Sequence, residues 1–247
     1  MLRRNLVCLL AAFAVGSLAQ AQTADELIEK NIQAHGGREK MQSVQTMRMT
    51  GKMVGQGTEM PVTLEFKRPN NVRMEFTMQG MTGIQAYDGT TGWAVMPFLG
   101  KKDPEKMSPE DLKEIEDQAD IDGPLVDYKA KGHQVEYVGK ADVEGTPAHQ
   151  LKVTKKNGDV VNLFLDADAF LEIKAEGKSN RRGQEVEVET SFGDYKEVGG
   201  LMLAHSIAIK PKGMPHSQQI VIEKIEINPE IAADRFAMPA KEAAKPS

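Results

Sequence analysis

The stretch PVTLEFKRPNNVRMEF, residues 61–76, decides how the chain is read. Val62, Leu64 and Phe66 fall on one side of an alternating pattern, with Thr63, Glu65 and Lys67 on the other, which is the period of a strand with one buried face. The same alternation carries Arg68 onto the apolar side. Pro69 then ends the ladder, and Asn70-Asn71 supplies turn chemistry before alternation resumes at Val72. Two antiparallel strands are expected, the first with a guanidinium at the end of its apolar stripe.

The period of two extends in both directions. Strands are expected over 45–54, 59–68, 72–78, 83–87 and 92–96, with Asp88-Gly89 as a further turn, in an up-and-down meander. Alternation breaks from 101 to 132. There Ser108-Pro109-Glu110-Asp111 provides an N-cap, a proline at the first helical position and early negative charge, and Leu112, Ile115 and Ala119 give a thin apolar stripe, so a short helix is expected. Strands resume over 134–141, 148–154, 160–165, 171–177, 185–195, 202–209 and 219–227, with turn residues at 145–147, Asn157-Gly158, Arg182-Gly183 and Gly199-Gly200. Ahead of the sheet, Thr23 and Glu26 have capping-box spacing, Leu27, Ile28 and Ile32 share a helical face, and Gly36-Gly37 stops the helix. A sheet of about a dozen antiparallel strands must curl. The expected fold class is mainly β: one antiparallel sheet curled into an open (half) β-barrel, its concave face covered by N-terminal and mid-chain helices.

Residues 1–21 read as a cleavable signal peptide, with Arg3 and Arg4 ahead of an apolar run from Leu6 to Val15 and a small-x-small ending at Ala19 and Ala21. The expected organisation is therefore a signal peptide at 1–21, one domain over 22–239 and a disordered tail at 240–247, with the mature protein periplasmic. Cys8, the only cysteine, lies inside the signal, so no disulfide is expected after processing. Removing the two arginines of the signal takes the formal charge from −5 to −7, which argues against nucleic acid and anionic membrane surfaces as partners.

Ten of the 14 methionines lie between Met41 and Met107. Alternation puts Met47, Met49 and Met53 on one face of a strand, with Met60 beside Val62, Leu64 and Phe66, and Met74 and Met78 around Phe76. Flexible, polarizable methionines suit a concavity that reshapes around acyl chains, and they also serve as plain core filler; their crowding into one half of the sheet favours the cavity. Trp93, the only tryptophan, is open to a core reading and to one at a cavity mouth, and Phe66, Phe76 and Phe98 carry the same two readings as wall residues.

FKRPNNVRMEF, followed by YDGTTGWAVMPF and then by NPEIAADRFAMPA, resembles the LolA-like and LolB-like periplasmic lipoprotein carriers, which share a K-R-P-N strand end, a D-G-x-x-x-W turn leading to P-F and a closing F-x-x-P. The resemblance covers most of the mature chain, in order. It implies an unclosed barrel of about eleven strands under a helical lid, and a protein that shuttles acylated lipoproteins toward the outer membrane between inner- and outer-membrane transfer partners. It also implies that Arg68 faces the cavity and hydrogen-bonds to the lid, holding the empty form closed. Five donors can bridge carbonyls at helix C-termini, although an arginine snorkelling at a strand end gives the same pattern. Arg68→Leu is expected to leave folding intact.

The cavity and lid candidates are thus Arg68, Phe66, Leu64, Met47, Met49, Met74, Phe76, Met78, Trp93 and Phe98. No catalytic residue, metal site or cofactor is expected. Asp166 and Asp168 read as a hairpin turn, Glu185, Glu187 and Glu189 as a solvated strand face, and the five histidines lack metal-ligand spacing. The expected protein is not an enzyme. It is a monomeric carrier of acylated lipoprotein or another lipid, with a lipid- or protein-binding sensor of the same fold as the alternative.

Overall fold

The computed structural model describes residues 23–240 apart from 56, 182–183 and 214–216. The expected signal peptide, the Arg182-Gly183 turn and all but the first residue of the expected tail lie outside the described residues.

Helix α1 (Ala24–Ala34) opens on the capping box read from the sequence: Glu26 N–H donates to Thr23 Oγ1 and Thr23 N–H donates to the Glu26 carboxylate, each at 3.2 Å. Gly36 and Gly37, at φ 112° and 93°, turn the chain into the short helix α2 (Arg38–Ser43). Six strands follow: β1 (Thr46–Gly55), β2 (Thr58–Lys67), β3 (Asn71–Met78), β4 (Met81–Tyr87), β5 (Gly92–Met96) and β6 (Lys101–Lys106). After helix α3 (Pro109–Gln118) come β7 (Gln134–Val143), β8 (Thr146–Thr154), β9 (Val160–Asp166), β10 (Glu172–Arg181), β11 (Gln184–Val198), β12 (Leu201–Pro211) and β13 (Gln218–Ile227).

These make one antiparallel sheet in the order β6-β5-β4-β3-β2-β1-β13-β12-β11-β10-β9-β8-β7. The chain enters at the centre, meanders to one edge, crosses to the other through residues 107–133 and meanders back, so the sheet ends at β6 and β7 without closing. Thirteen strands replace the expected eleven or twelve. The one missed in the sequence is β6, whose residues KKDPEK carry no apolar alternation. It is an edge strand of charge and proline, a composition that blunts an exposed ladder.

Register fixes the faces. Met47, Met49, Gly51 and Met53 pair with Phe66, Leu64, Val62 and Met60, and Phe66, Leu64 and Val62 pair in turn with Val72, Met74 and Phe76. All lie on the side that the helices cover. Where β1 meets β13 the register shifts at Thr50/Gly51, and a Cβ on Gly51 would lie 2.0 Å from the Val221 carbonyl oxygen, so only glycine permits this close pairing. On the same side α1 packs Leu27, Ile28 and Ile32 against Leu125 and Val126 of the crossover and Leu151, Val153, Leu163 and Leu165 of β8 and β9.

The opposite, convex face is crossed by the C-terminal segment after Asn228. Its carbonyls accept from Thr46 (Pro229, 2.6 Å), Lys67 (Ile231, 2.8 Å), Arg73 (Arg235, 2.8 Å) and Trp93 Nε1 (Phe236, 2.8 Å). Glu65, 2% exposed, receives Arg48 at 2.9 Å and Arg235 at 2.7 Å on its two oxygens. Phe236 beside this pair is fully buried. The NPEIAADRF motif is thus a strap that clamps β1, β2, β3 and β5 from behind. Phe236→Ala is expected to lower stability by about 3 kcal/mol in urea unfolding, the range for a buried phenylalanine; a loss below about 1 kcal/mol would show that the strap does not hold the sheet.

Candidate functional site

Arg68 follows the last residue of β2 and turns inward beneath α2. Its Nε donates to the Val44 carbonyl at 2.6 Å and its Nη2 to the Met41 carbonyl at 3.1 Å, acceptors at the C-terminal end of α2. Nη1 and Nη2 also reach the two oxygens of Asp122, at 2.5 and 2.6 Å. This parallel pair is the strong geometry for a guanidinium, and both side chains are mostly out of water, 22% and 14% exposed. Asp122 closes the acidic stretch that begins at Asp103, and nothing in its sequence context marks it as the partner of Arg68.

A second charged contact stands at the other end of the cap. His35, the C-cap of α1, has Nδ1 2.8 Å from the Met202 carbonyl and Nε2 2.6 Å from Glu172 Oε2. The Met202 carbonyl accepts, and the Glu172 carboxylate accepts when ionised, so the geometry favours the doubly protonated, cationic imidazole. Asn31 adds a hydrogen bond to the other Glu172 oxygen at 3.1 Å, and the Tyr195 hydroxyl donates to the Glu172 carbonyl at 2.7 Å. Burial works against the charge on each member; the ion pair outweighs it, raising the His35 pKa above the ordinary 6.5 and lowering that of Glu172 below 4.5.

Between the two contacts lies a cavity of about 40 Å³ lined by His35, Met41, Val44, Met47, Ile121, Asp122, Leu201 and Leu203. It has room for a few waters and nothing longer. Along the strands away from α2 the cover thins, and Met49, Leu64, Phe66, Met74, Phe76 and Met78 are half-buried on the same face. Phe98 joins them: its ring centroid is 5.6 Å from that of Phe76, and both rings occupy the space a side chain at Gly83 would need. The structure therefore brings nine of the ten candidates to one side of the sheet. Trp93 is the exception. It pairs with Ala86 on the convex face, 2% exposed, with Arg73 over its ring at 5.6 Å and its indole N–H on the strap. The mouth position is corrected to a core position, because the alternation of β5 turns Gly92 inward and Trp93 outward.

Helix α3 spans the concavity. Leu112 and Ile115 pack over Gly92 in β5, while Lys113 reaches Asp159 at 2.7 Å and Asp117 receives Lys155 at 2.8 Å from the opposite wing. No group of three or more His, Cys, Asp or Glu side chains among the described residues is arranged to hold a metal ion.

No protein-family profile matches the sequence, and no curated protein does. Solved structures match through the fold. A LolA superfamily protein from Nitrosomonas europaea superimposes with a TM-score of 0.60 at 12% identity, over 88% of this chain and 98% of that chain. A DUF1329 family protein from Desulfovibrio piger gives 0.59 at 10% identity, over 86% and 96%. A domain assigned as an outer membrane lipoprotein-sorting protein, from Vibrio parahaemolyticus, gives 0.56 at 12% identity, over 85% and 94%. The architecture is the LolA-like open half-barrel.

The His35–Glu172 contact makes stability depend on pH in both directions. The raised pKa of His35 contributes stability that is fully present below 6.5 and lost as pH rises through the folded-state value; the lowered pKa of Glu172 contributes stability present above 4.5 and lost as pH falls through its folded-state value. Thermal unfolding across pH 4 to 9 is expected to show a maximum between these limits, and His35→Gln is expected to flatten the alkaline limb. An unchanged alkaline limb in the variant would assign it to other groups.

Proposed function

We propose that this protein carries acylated molecules, lipoprotein or another lipid, through the periplasm toward the outer membrane, holding their acyl chains on the methionine-rich concave face. The observation that carries the reading is a half-buried apolar face of Met, Leu and Phe beneath a cap held by charges. A multiply acylated anchor exposes methylenes at ~0.8 kcal/mol each and needs such a shelter to cross water. Solved proteins of the same fold described as LolA superfamily and lipoprotein-sorting supply the precedent. Residues 1–21 are the export signal in this reading, and transfer partners at the two membranes give and take the cargo. The protein performs no turnover.

In this account Arg68 is the latch. The cavity under the cap is too small for an acyl chain, so cargo enters only when α2 and the crossover shift away from the sheet. The four hydrogen bonds of Arg68 oppose that shift. Their net worth as a latch is about 1–3 kcal/mol, enough to bias an open and closed population without locking it.

The ion pair alters what substitution of Arg68 does. Arg68→Leu alone would strand the Asp122 carboxylate in a mostly dry site and weaken folding, contrary to the expectation from sequence. The informative variant is Arg68→Leu with Asp122→Asn, which removes the charges together. It is expected to bind an apolar fluorophore or a triacylated peptide more tightly, and to release it to an acceptor roughly 5- to 150-fold more slowly. Release as fast as in the parent, with folding intact, would refute the latch. Native mass spectrometry of exported protein purified without detergent tests the larger claim: bound lipid or acylated peptide supports it. A clean unliganded mass with no fluorophore uptake would leave a protein-binding scaffold in its place.

A further inference from the structure

The far end of the sheet, away from α2 and Arg68, has a composition that the core does not require. Residues 76–87 and 89–100 contain no charged side chain, in a chain where 27% are charged. Asp88 separates them at the opposite end of the strands. The uncharged stretches fold into the end of β3, the turn Gln79-Gly80, β4, β5 and the 3-10 turn Pro97–Leu99, which packs against β4. Ordinary burial accounts for Gly83, Ala86, Tyr87, Gly92 and Trp93, but not for the tip. Gln79, Gly80, Met81, Thr82, Leu99 and Gly100 are all exposed, Leu99 at 68% and Met81 at 36%.

Two features give this tip a direction. Phe98, next to Leu99, lies on Phe76, so the exposed apolar tip is continuous with the methionine-rich concave face. Lys101 and Lys102 follow at once, both exposed. Lys101 is tied to Glu105 at 2.9 Å, while Lys102 has no ion-pair partner within 4.0 Å among the described residues. Exposed leucine and methionine on an uncharged hairpin end, backed by two ammonium groups, match the layering of a phospholipid surface, in which an apolar boundary lies under a layer of phosphates.

We propose that this end of the half-barrel is a bilayer-contacting surface: Leu99 and Met81 enter the interfacial region of a phospholipid leaflet while Lys101 and Lys102 meet its phosphates. The net charge of −7 left once residues 1–21 are removed opposes attraction to an anionic surface as a whole, so contact is local to the tip and depends on apolar insertion. Two small apolar side chains give weak, reversible binding, which suits a protein that must leave the membrane again. The proposal rests on the carrier reading only for its purpose, the passage of an acyl chain between the leaflet and the adjoining concave face; the contact itself is measured without cargo.

The test uses the purified exported protein with vesicles of phosphatidylcholine, alone and with a minority of phosphatidylglycerol. Leu99→Trp is expected to give a blue-shifted emission on adding either vesicle, against the constant signal of buried Trp93. In vesicle flotation Leu99→Asp is expected to reduce partitioning by roughly tenfold or more, and Lys102→Glu to reduce it on the mixed vesicles. Thermal stability and uptake of an apolar fluorophore should stay at parental levels in both, since the side chains are exposed and outside the concave face. Absence of vesicle binding by the parent, equal binding by Leu99→Asp with Met81→Asp, or tip-dependent dimers in sedimentation without vesicle binding would each overturn the proposal, the last assigning the tip to a second copy of the chain. Vesicle binding by a parent that takes up no fluorophore would support the contact and count against the carrier reading.

Discussion

The guanidinium of Arg68 joins three segments that sequence keeps far apart: the end of β2, the carbonyls of Met41 and Val44 that finish α2, and Asp122 in the crossover. This contact holds α2 together with Met41, the one residue of the helix that packs against the apolar clusters on the concave side. The helix is six residues long and none of them is buried. Its other polar ties include Arg38 at 2.6 Å and Gln42 at 3.3 Å from Asp127, and the Ser43 carbonyl, which accepts from Asn228 at 3.2 Å, all of them exposed. A cap of this kind is fixed by hydrogen bonds and charge at its ends; the helix C-terminus, with its partial negative charge, is the natural seat for a cation.

The two faces of the sheet are built on different principles. Behind the sheet, the strap closes on a fully buried phenylalanine, and Glu65 sits almost fully buried between two arginines. Removing any one of these leaves a charge or a void in a dry place, which makes the arrangement hard to open. In front, the apolar packing of α1 and α3 is joined by charged contacts at the rim: Arg68 with Asp122, His35 with Glu172, and the two lysine–aspartate pairs that α3 makes with the opposite wing. Those pairs, Lys113–Asp159 and Lys155–Asp117, are partly exposed and are worth little apiece. The strap behind the sheet is thus held by fully buried groups, whereas the contacts of α2 in front are mostly polar and partly exposed.

Most of the fold was legible in the sequence because a half-buried strand writes its two faces into alternate residues. Twelve of the 13 described strands match stretches placed from alternation and turn residues, and β6 escapes that reading because an edge strand of lysine, proline and acid has no buried face to record. The inward position of Arg68 was legible for the same reason. Its partners at Met41 and Val44 were readable only in kind, as helix-end carbonyls, and Asp122 was not readable at all, since a residue in a run of turns outside helix and strand leaves no periodic trace. The His35–Glu172 pair spans the chain in the same way. Trp93 shows the limit from the other side: alternation fixes relative facing within a strand, yet the side that Trp93 takes was set by pairing with Ala86 and by a C-terminal strap whose path across the convex face the sequence does not encode locally.

The topology constrains how such a cap can move. Residues 107–133 connect β6 at one edge to β7 at the other, so the covering segment is tethered at both edges of the sheet and cannot swing clear as a free flap. It can slide or lift over the concavity, within the slack left by a short helix and a turn-rich stretch. Leu125 and Val126 anchor it in the core beneath α1, next to the wing of β8 and β9. On the other wing it is held by Leu112 and Ile115 against Gly92, and in between by Asp122. Asp122 holds through an ion pair; the two flanking holds are apolar, that of α3 being joined by its lysine–aspartate pairs. Asp122 and Ile121 stand between those apolar holds and line the small cavity together with Met47, at the head of the methionine face. The path from there along Met49, Met74 and Phe76 leads toward the end of the strands where no α-helix lies among the described residues.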